Sequence, residues 1–269
     1  MSAAAQPETV GAGLPRQLTP GTVWLGDCLI TPLPDGTLEH SFSSAYLVSG
    51  DDRSLLVDTG HPKDWAVIEH QLAGLLASRP PLEWIFPTHP EVTHAGNLGR
   101  LLHRFPAARV CGDVRDYQLL FPGHADRMAP MVIGDEIDLG GRRIVLVDAV
   151  FRDLVSTQWA YDPGDRVLYS GDGLGFGHYH RAGQCGMLAE EVPDIPIPEL
   201  TGVFAEYALY WTRLKDVEPF IDRLDAMMQV DYPVDVVASS HGNPVTNLAQ
   251  TMPKIREGLR LVGQKYSLR

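Results

Sequence analysis

The sequence predicts an α/β fold in which two β-sheets are covered by helices on their outer sides. Short apolar strands and helical segments alternate so that the order of elements is β-rich, mixed, β-rich and mixed. Each β-rich part contains a turn sequence suited to a hairpin: Pro34-Asp35-Gly36 in the first and Pro163-Gly164-Asp165 in the second. With 269 residues, of which 44% are hydrophobic, the chain can bury a sizeable core.

The elements follow from apolar runs bounded by Gly, Pro and Asp. Strands are expected at residues 23–33, 43–48, 54–57, 82–86, 108–111, 142–147, 158–161, 166–169 and 234–238. Helices are expected at residues 64–77, 97–105, 114–120, 200–228 and 250–262, with a break in the fourth near Glu218-Pro219. Residues 1–20 are rich in Ala, Gly and Pro and predict a flexible N-terminal arm. No charge run or Ser-rich linker follows, so residues 21–269 predict one domain.

Charge and composition exclude several classes of partner. The formal net charge of -12 argues against nucleic acid and anionic membranes, since both attract basic surfaces. The N-terminus lacks a signal-peptide pattern, and no apolar run approaches the roughly 20 residues that span a bilayer. Cys28, Cys111 and Cys185 are too far apart to form a CxxC metal clip, and their odd number gives no disulfide framework. A cytoplasmic location is therefore expected.

Three metal-competent side chains fall within six residues: His89, Glu91 and His94. An apolar strand leads into them and a helical segment leaves them, which predicts a strand-to-helix turn. Their i, i+2, i+5 spacing does not suit one helix face, where neighbours lie three or four residues apart. The spacing indicates a loop wrapped around an ion, and the alternative is a hydrogen-bonded loop cluster without one.

Other polar residues follow apolar strands in the same way, namely Asp58, Asp172 and His241. Asp172 or His241 alone would be an ordinary turn residue beside glycine. Because four such loops occur in the chain, we expect one edge of the sheets to present a single metal site. Asp58 is expected to brace that site by orienting a ligand histidine or a backbone turn, and not to bind metal itself.

Taken together, these motifs resemble the metallo-β-lactamase superfamily over most of residues 40–262. The resemblance implies a four-layer αβ/βα sandwich with a metal site at one sheet edge. Glu91 resembles the flavodiiron branch and its stand-alone oxygen-binding relatives, because the hydrolytic branch has histidine at that position. The motifs that carry the resemblance are Asp58-Thr59-Gly60, residues 89–94, Ser170-Gly171-Asp172 and Ser240-His241-Gly242.

The resemblance also implies a ligand set for two metal ions. The first ion would take His89, Glu91 and Asp153, the second would take His94 and His241, and Asp172 would bridge both. Asp153 stands about nineteen residues before Asp172, where the family has a histidine. Its alternative role is an exposed ion pair beside Arg152.

Two further positions are candidates for a catalytic role. Thr93 replaces the branch's aspartate, which would leave the second ion more open to water, dioxygen or substrate. His178 and His180 follow Asp172 in an irregular stretch, where either would supply a missing ligand or handle protons near the pocket. The alternative for each of these two histidines is an ordinary surface or core position.

The expected function follows from this ligand set. Three carboxylates and three imidazoles without a thiolate suit two iron ions, with manganese or zinc as alternatives. The resemblance implies a non-haem diiron oxidoreductase that activates dioxygen, most concretely a monooxygenase that hydroxylates a small organic substrate of the natural-product type. The sequence ends soon after His241, so we expect electrons from an external reductase and not from an attached flavin domain. A homodimer is expected.

Two other functions stay open. The first is a metal-dependent hydrolase of a thioester, lactone or phosphoester, which the family favours and the changed ligands disfavour. The second is a diiron oxygen carrier or sensor without turnover, which would use the same site.

Overall fold

The computed structural model describes residues 13–32, 38–177, 180 and 183–266. The first half of the chain builds a seven-stranded sheet in the order β1-β2-β5-β6-β7-β8-β9. Its β6–β7, β7–β8 and β8–β9 pairs are parallel, and the other pairs are antiparallel. The strands are β1 (Arg16–Gln17), β2 (Thr22–Leu25), β5 (Ala45–Ser49), β6 (Ser54–Val57), β7 (Leu82–Phe86), β8 (Arg109–Gly112) and β9 (Met128–Pro130).

The second half builds a five-stranded sheet in the order β10-β11-β12-β13-β14. Only its β13–β14 pair is parallel. The strands are β10 (Glu136–Asp138), β11 (Arg143–Asp148), β12 (Gln158–Asp162), β13 (Val167–Gly171) and β14 (Val236–Ser239). A separate antiparallel hairpin consists of β3 (Cys28–Pro32) and β4 (Leu38–Phe42).

Seven α-helices complete the described chain, and short helical turns extend several of them. The helices are α1 (Trp65–Leu76), α2 (Val92–Ala95), α3 (Leu98–Arg104), α4 (Arg115–Leu120), α5 (Ile197–Ala208), α6 (Glu218–Ala226) and α7 (Leu248–Tyr266). Within the described ranges, none of them is long and apolar enough to cross a membrane.

The two sheets pack face to face, and alternation along the strands divides their side chains between two core layers. Leu55 and Val57 of β6 face the space between the sheets, where they join Tyr169 of the second sheet. Leu56 faces the other way and packs with Ile68 of α1. On the outer face of the second sheet, side chains of β12 and β13 pack with α5, α6 and α7. The layers are therefore α, β, β and α, which confirms the predicted αβ/βα sandwich.

The structure corrects two expected elements. The run 23–33 is not one strand, because Gly26 has φ +134° and exchanges two backbone hydrogen bonds of 3.0 Å with the Gln71 side chain. This break separates β2 from the hairpin strand β3. The run 200–228 is divided into α5 and α6. The second helix begins at Glu218, where the break was expected, but the first ends earlier, at Ala208, before a short turn at Tyr210–Arg213.

Before residue 20, the N-terminal segment is attached both to the first sheet and to a distant part of the chain at Glu191. β1 pairs with β2, with Arg16 opposite Trp24. The Arg16 guanidinium also forms two hydrogen bonds, of 2.6 and 2.8 Å, with the Glu191 carboxylate. In the described residues the sheet therefore begins earlier than the predicted arm ends.

Candidate metal centre

The predicted ligands meet where parallel strands end. Asp58 follows β6, His89 and His94 follow β7, Asp172 follows β13, and His241 follows β14. Because β6–β7 and β13–β14 are parallel pairs, their carboxyl ends lie at a common edge of each sheet. The two edges meet at one place, since His94 of the first sheet lies 3.0 Å from Asp172 of the second, as in other sheets whose ligands bind beyond the carboxyl ends of parallel strands.

The residues of the local motif form the centre of the cluster. His89, Glu91, His94 and Asp172 each offer one ligand atom, and these four atoms lie within 4.8 Å of one another. Nε2 of His94 lies 3.0 Å from Oδ1 of Asp172. The rings of His89 and His94 are 3.8 Å apart between centroids. Glu91 reaches this cluster from the solvent side, since 51% of its side chain is exposed.

Asp153 and His241 extend the cluster in two directions. Oδ2 of Asp153 lies 3.1 Å from Nε2 of His89. Nε2 of His241 lies 3.5 Å from Oδ1 of Asp172. The side chain of Asp153 is only 5% exposed, so it is not the exposed ion-pair residue of the alternative interpretation. The structure thus brings all six predicted ligands together.

Several buried atoms at this cluster have no hydrogen-bond partner in the described structure. They are Nε2 of His89, Nε2 of His94, Oδ2 of Asp153 and Oδ1 of Asp172. Leaving a buried polar atom unpaired costs about 1–3 kcal/mol, and more for a charged group. Four such atoms directed toward one another fit the bonding demand of metal cations, and their nitrogen and carboxylate chemistry fits a hard or borderline ion.

Asp58 orients His94 from behind. Its Oδ2 accepts a hydrogen bond of 2.9 Å from Nδ1 of His94, which leaves Nε2 to face the cluster. Oδ1 of Asp58 accepts hydrogen bonds from the backbone N–H of Thr88 at 2.7 Å and from its hydroxyl at 2.9 Å. A carboxylate behind a ligand histidine sets the tautomer and raises the basicity of the free nitrogen. Asp58 therefore has the bracing position that the sequence predicts.

Three residues that were not predicted to act at the site support this network. The hydroxyl of Ser240 donates a hydrogen bond to Oδ2 of Asp58, and the hydroxyl of Thr88 donates to Oδ1. Gly171 has φ +52°, and a Cβ atom there would lie 2.8 Å from Oγ1 of Thr88. The signal was their adjacency to the motif residues, in Thr88-His89, Ser240-His241 and Gly171-Asp172.

Burial and neighbouring charges shift the pKa values of these groups in the metal-free chain. Burial opposes charge on His94, but the carboxylates of Asp58 and Asp172 outweigh it and raise the pKa of His94 well above its ordinary value. Burial raises the pKa of Asp172, but the nearby His241 and His94 outweigh this effect and hold the pKa below its usual range. Burial lowers the pKa of His241. A cation at the centre would therefore displace a proton from His94.

The two proposed catalytic positions differ in what the structure describes. Thr93 lies in α2 between Glu91 and His94. The Ser43 hydroxyl donates a hydrogen bond of 3.4 Å to its carbonyl oxygen. His178 lies outside the described residues. His180 does not contact the centre in the way considered for a replacement ligand. Its Nε2 lies 3.2 Å from Sγ of Cys28.

Comparison with known proteins agrees with this architecture. The family profile described as the Metallo-beta-lactamase superfamily matches residues 39–241. The coenzyme F420H(2) oxidase of Methanothermobacter marburgensis is 28% identical over 170 residues, which cover 60% of this chain and 42% of that protein. The anaerobic nitric oxide reductase flavorubredoxin of Aliivibrio salmonicida is 25% identical over 209 residues, which cover 74% of this chain and 39% of that protein.

Solved structures show the same fold. The rubredoxin oxygen:oxidoreductase of Desulfovibrio gigas matches with a TM-score of 0.69 and 15% identity, covering 92% of this chain and 61% of that chain. The flavodiiron protein of Giardia intestinalis matches with a TM-score of 0.63 and 16% identity, covering 94% of this chain and 58% of that chain. The chain spans about two fifths of the length of the curated relatives it matches. It belongs to the metallo-β-lactamase superfamily and is similar to the flavodiiron proteins of that family.

Proposed function

We propose that the chain is a non-haem diiron oxidoreductase that acts on dioxygen or nitric oxide. The observation that carries the proposal is the convergence of four unpartnered buried atoms from His89, His94, Asp153 and Asp172. The names of the relatives, an F420H(2) oxidase and a nitric oxide reductase, support redox chemistry at this centre. Six oxygen and nitrogen donors, with no thiolate among them, favour iron over zinc.

In this proposal His89, Glu91 and Asp153 would hold one ion, His94 and His241 would hold the second, and Asp172 would contribute to both. A pair of iron ions would supply electrons one at a time to a small oxidant. The chain's own residues prepare the donors. Asp58 keeps the proton of His94 on Nδ1. The Thr157 hydroxyl donates a hydrogen bond of 2.6 Å to Oδ1 of Asp153, which directs Oδ2 inward. Such preparation limits the reorganisation that binding would otherwise require.

The exposure of the ligands indicates where a small molecule would enter. His89 and His94 are fully buried, whereas Glu91 is exposed and the His241 side chain is 22% exposed. The ring of Phe204 lies 5.3 Å from that of His241, so an aromatic side chain borders this accessible side. We therefore place the approach of dioxygen or nitric oxide between Glu91 and His241, next to the partly exposed Thr93.

The finer proposal is that the chain is a monooxygenase, which hydroxylates a small organic substrate with electrons from an external reductase. The replacement of an acidic residue by Thr93 supports it, because a neutral, short side chain leaves more room for an organic molecule than a carboxylate does. His178 remains a proposed proton-handling residue. An iron pair used this way would consume dioxygen in step with substrate.

The test starts with metal content and gas consumption. Protein produced with ample iron should contain two irons per chain, and after chemical reduction without air it should consume dioxygen or nitric oxide. Asp172→Asn should lose most of both signals, while Asp138→Asn, an exposed position at the end of β10, should keep them. Iron-free protein that hydrolyses a generic thioester once loaded with zinc, together with no gas consumption by the iron form, would contradict the proposal.

A second measurement separates the finer proposal from its alternatives. An oxidase or reductase would consume dioxygen or nitric oxide continuously with reductant alone. A monooxygenase should show sustained consumption only when an organic substrate is added, with one oxygen atom from ¹⁸O₂ entering the product. A reversible change in the optical spectrum on adding and removing dioxygen, without turnover under any condition, would indicate an oxygen carrier instead.

A further inference from the structure

A second cluster of metal-competent side chains lies apart from the centre and has different chemistry. Cys28, His180 and Cys185 each offer one ligand atom, and these atoms lie within 4.8 Å of one another. Sγ of Cys28 and Nε2 of His180 are 3.2 Å apart. Cys28 and His180 are buried, and Cys185 is partly exposed. None of these residues belongs to the ligand set of the centre.

The hairpin and the loop hold the first two donors in place. Cys28 of β3 lies directly opposite Phe42 of β4, so both side chains point to the same face of the hairpin. The imidazole of His180 stacks on the Phe42 ring at 4.8 Å between centroids, with 16° between their planes. Because stacking fixes the plane of the imidazole, its Nε2 is directed at Sγ of Cys28.

The third donor comes from a turn that is fixed by the N-terminal segment. Arg16 donates a hydrogen bond of 2.9 Å to the carbonyl oxygen of Gly186, next to Cys185. A Cβ atom on Gly13 would lie 2.5 Å from the carbonyl oxygen of Cys185, so the two backbones are in close contact. Three separate parts of the chain therefore converge on this cluster.

We propose that Cys28, His180 and Cys185 bind one thiophilic cation of the Zn²⁺ type. Two thiolates and an imidazole are the donors that zinc prefers, and a tetrahedral ion would keep a fourth position for water or another donor. Bonds of about 2.3 Å to sulfur and about 2.0–2.1 Å to nitrogen place the two donor atoms roughly 3.6 Å apart in a tetrahedral site. The 3.2 Å separation needs only a small adjustment to reach that value.

The charge balance also fits. Burial, together with the nearby Cys185, raises the pKa of the Cys28 thiol, so a cation that binds this sulfur must displace its proton. Binding forms two sulfur–metal bonds and releases two protons to solvent. A divalent cation with two thiolates is then neutral, which suits a buried position. The partly exposed Cys185 offers the ion a path of entry.

The proposed ion would connect the loop after Asp172 to the rest of the fold. Backbone hydrogen bonds join both ends of that loop to the loop after β14. The N–H of Phe176 donates to the carbonyl of His241 at 3.4 Å, and the N–H of Ala189 donates to the carbonyl of Pro244 at 3.0 Å. Between these bonds, Cys185 and His180 would be tied to the β3–β4 hairpin. The role proposed for the cation is therefore structural and independent of redox chemistry at the centre.

Cobalt spectroscopy tests the proposal on the full chain. Reduced, metal-free protein is titrated with Co²⁺, and a thiolate-to-cobalt charge-transfer band in the near ultraviolet is expected, since the main centre contains no sulfur donor. The band should be lost in Cys28→Ser and in Cys185→Ser. It should remain in Cys111→Ser, whose buried thiol lies 3.6 Å from the carbonyl of Ile85 and outside the cluster, and in Asp172→Asn, which disables the main centre.

Zn²⁺ added in excess of the capacity of both sites should abolish the band in wild-type protein. It should also slow alkylation of the Cys185 thiol, a measurement that needs no variant and so survives any folding defect of the serine substitutions. The proposal is overturned if wild-type protein shows no sulfur-to-cobalt band, if the band persists when both Cys28 and Cys185 are serine, or if Zn²⁺ leaves the alkylation rate of Cys185 unchanged.

Discussion

The two sheets contribute to the candidate metal centre in different ways. The first sheet supplies His89, Glu91 and His94 from a single turn after β7, so their proximity follows from short sequence distance. The second sheet supplies Asp153, Asp172 and His241 from three separate loops, and each of them reaches the centre only because two sheets pack together. Local spacing therefore creates half of the site, and tertiary packing completes it.

The largest expected effect comes from removing a donor of the second sheet. Asp172→Ala should reduce iron from two per chain to less than one, because its carboxylate touches both His94 and His241. His89→Ala, a change in the local turn, should lower the iron content by no more than Asp172→Ala does. Metal analysis of both variants measures the comparison, with His103→Ala on the exposed side of α3 as the control. If Asp172→Ala still held two irons, the contribution of the second sheet would be dispensable.

A smaller effect on metal binding is expected for Asp58, which connects the ligand residues of the two sheets. Asp58 follows the first sheet, yet its Oδ2 accepts hydrogen bonds from His94 and from Ser240 of the second. Asp58→Asn should weaken metal affinity by about 10- to 100-fold, as is usual for the partner of a ligand histidine. Chelator competition measures the change. An affinity within twofold of wild type would mean that packing alone orients His94.

The contact between the sheets at Thr88 should be sensitive to one methyl group. Gly171→Ala places a Cβ atom 2.8 Å from Oγ1 of Thr88 at a residue with φ +52°, and should cost about 1–3 kcal/mol of unfolding free energy. Gly74→Ala is the matched control, since it lies within α1 with no atom within 4 Å of the added Cβ. That substitution should be neutral or stabilise the chain by up to about 1 kcal/mol. Denaturant unfolding distinguishes them, and equal stabilities would refute the close approach.

A pH dependence of the stability of the metal-free chain is also expected. The pKa of His94 is raised in the folded state, so its stabilising contribution is complete below the unfolded value of about 6.5 and is lost as pH rises toward the folded value. The unfolding free energy should fall by up to about 1.4 kcal/mol per pH unit above that point. The lowered pKa of Asp172 affects the acidic side of the pH range, because the stability that its carboxylate contributes is lost as the pH falls.

Thermal unfolding between pH 6 and pH 9, as a series in about one-unit steps, measures this dependence. His94→Gln should remove it, and His103→Gln, which alters an exposed histidine, should leave it in place. Metal loading should also remove it, because a ligated Nε2 cannot take up a proton. A dependence that persists in His94→Gln would assign the titration to another group.

The sequence by itself determined the sandwich and the local part of the site. The order of apolar strands and helical segments predicts two sheets with helices outside, and the compact spacing of His89, Glu91 and His94 indicates an ion-binding turn. Both inferences use short stretches of the chain. The bracing role of Asp58 also followed from its position after a strand.

Only the tertiary structure decided which distant residues join that turn. Residue type and spacing left Asp153 open between a surface ion pair and a metal ligand. Its burial and its 3.1 Å distance from His89 place it beside the candidate centre. The same holds for Thr88 and Ser240 behind Asp58, and for His180, which meets Cys28 from a distant part of the sequence. The physical reason is that contacts between loops depend on the packing and register of two sheets, which no short stretch of sequence encodes.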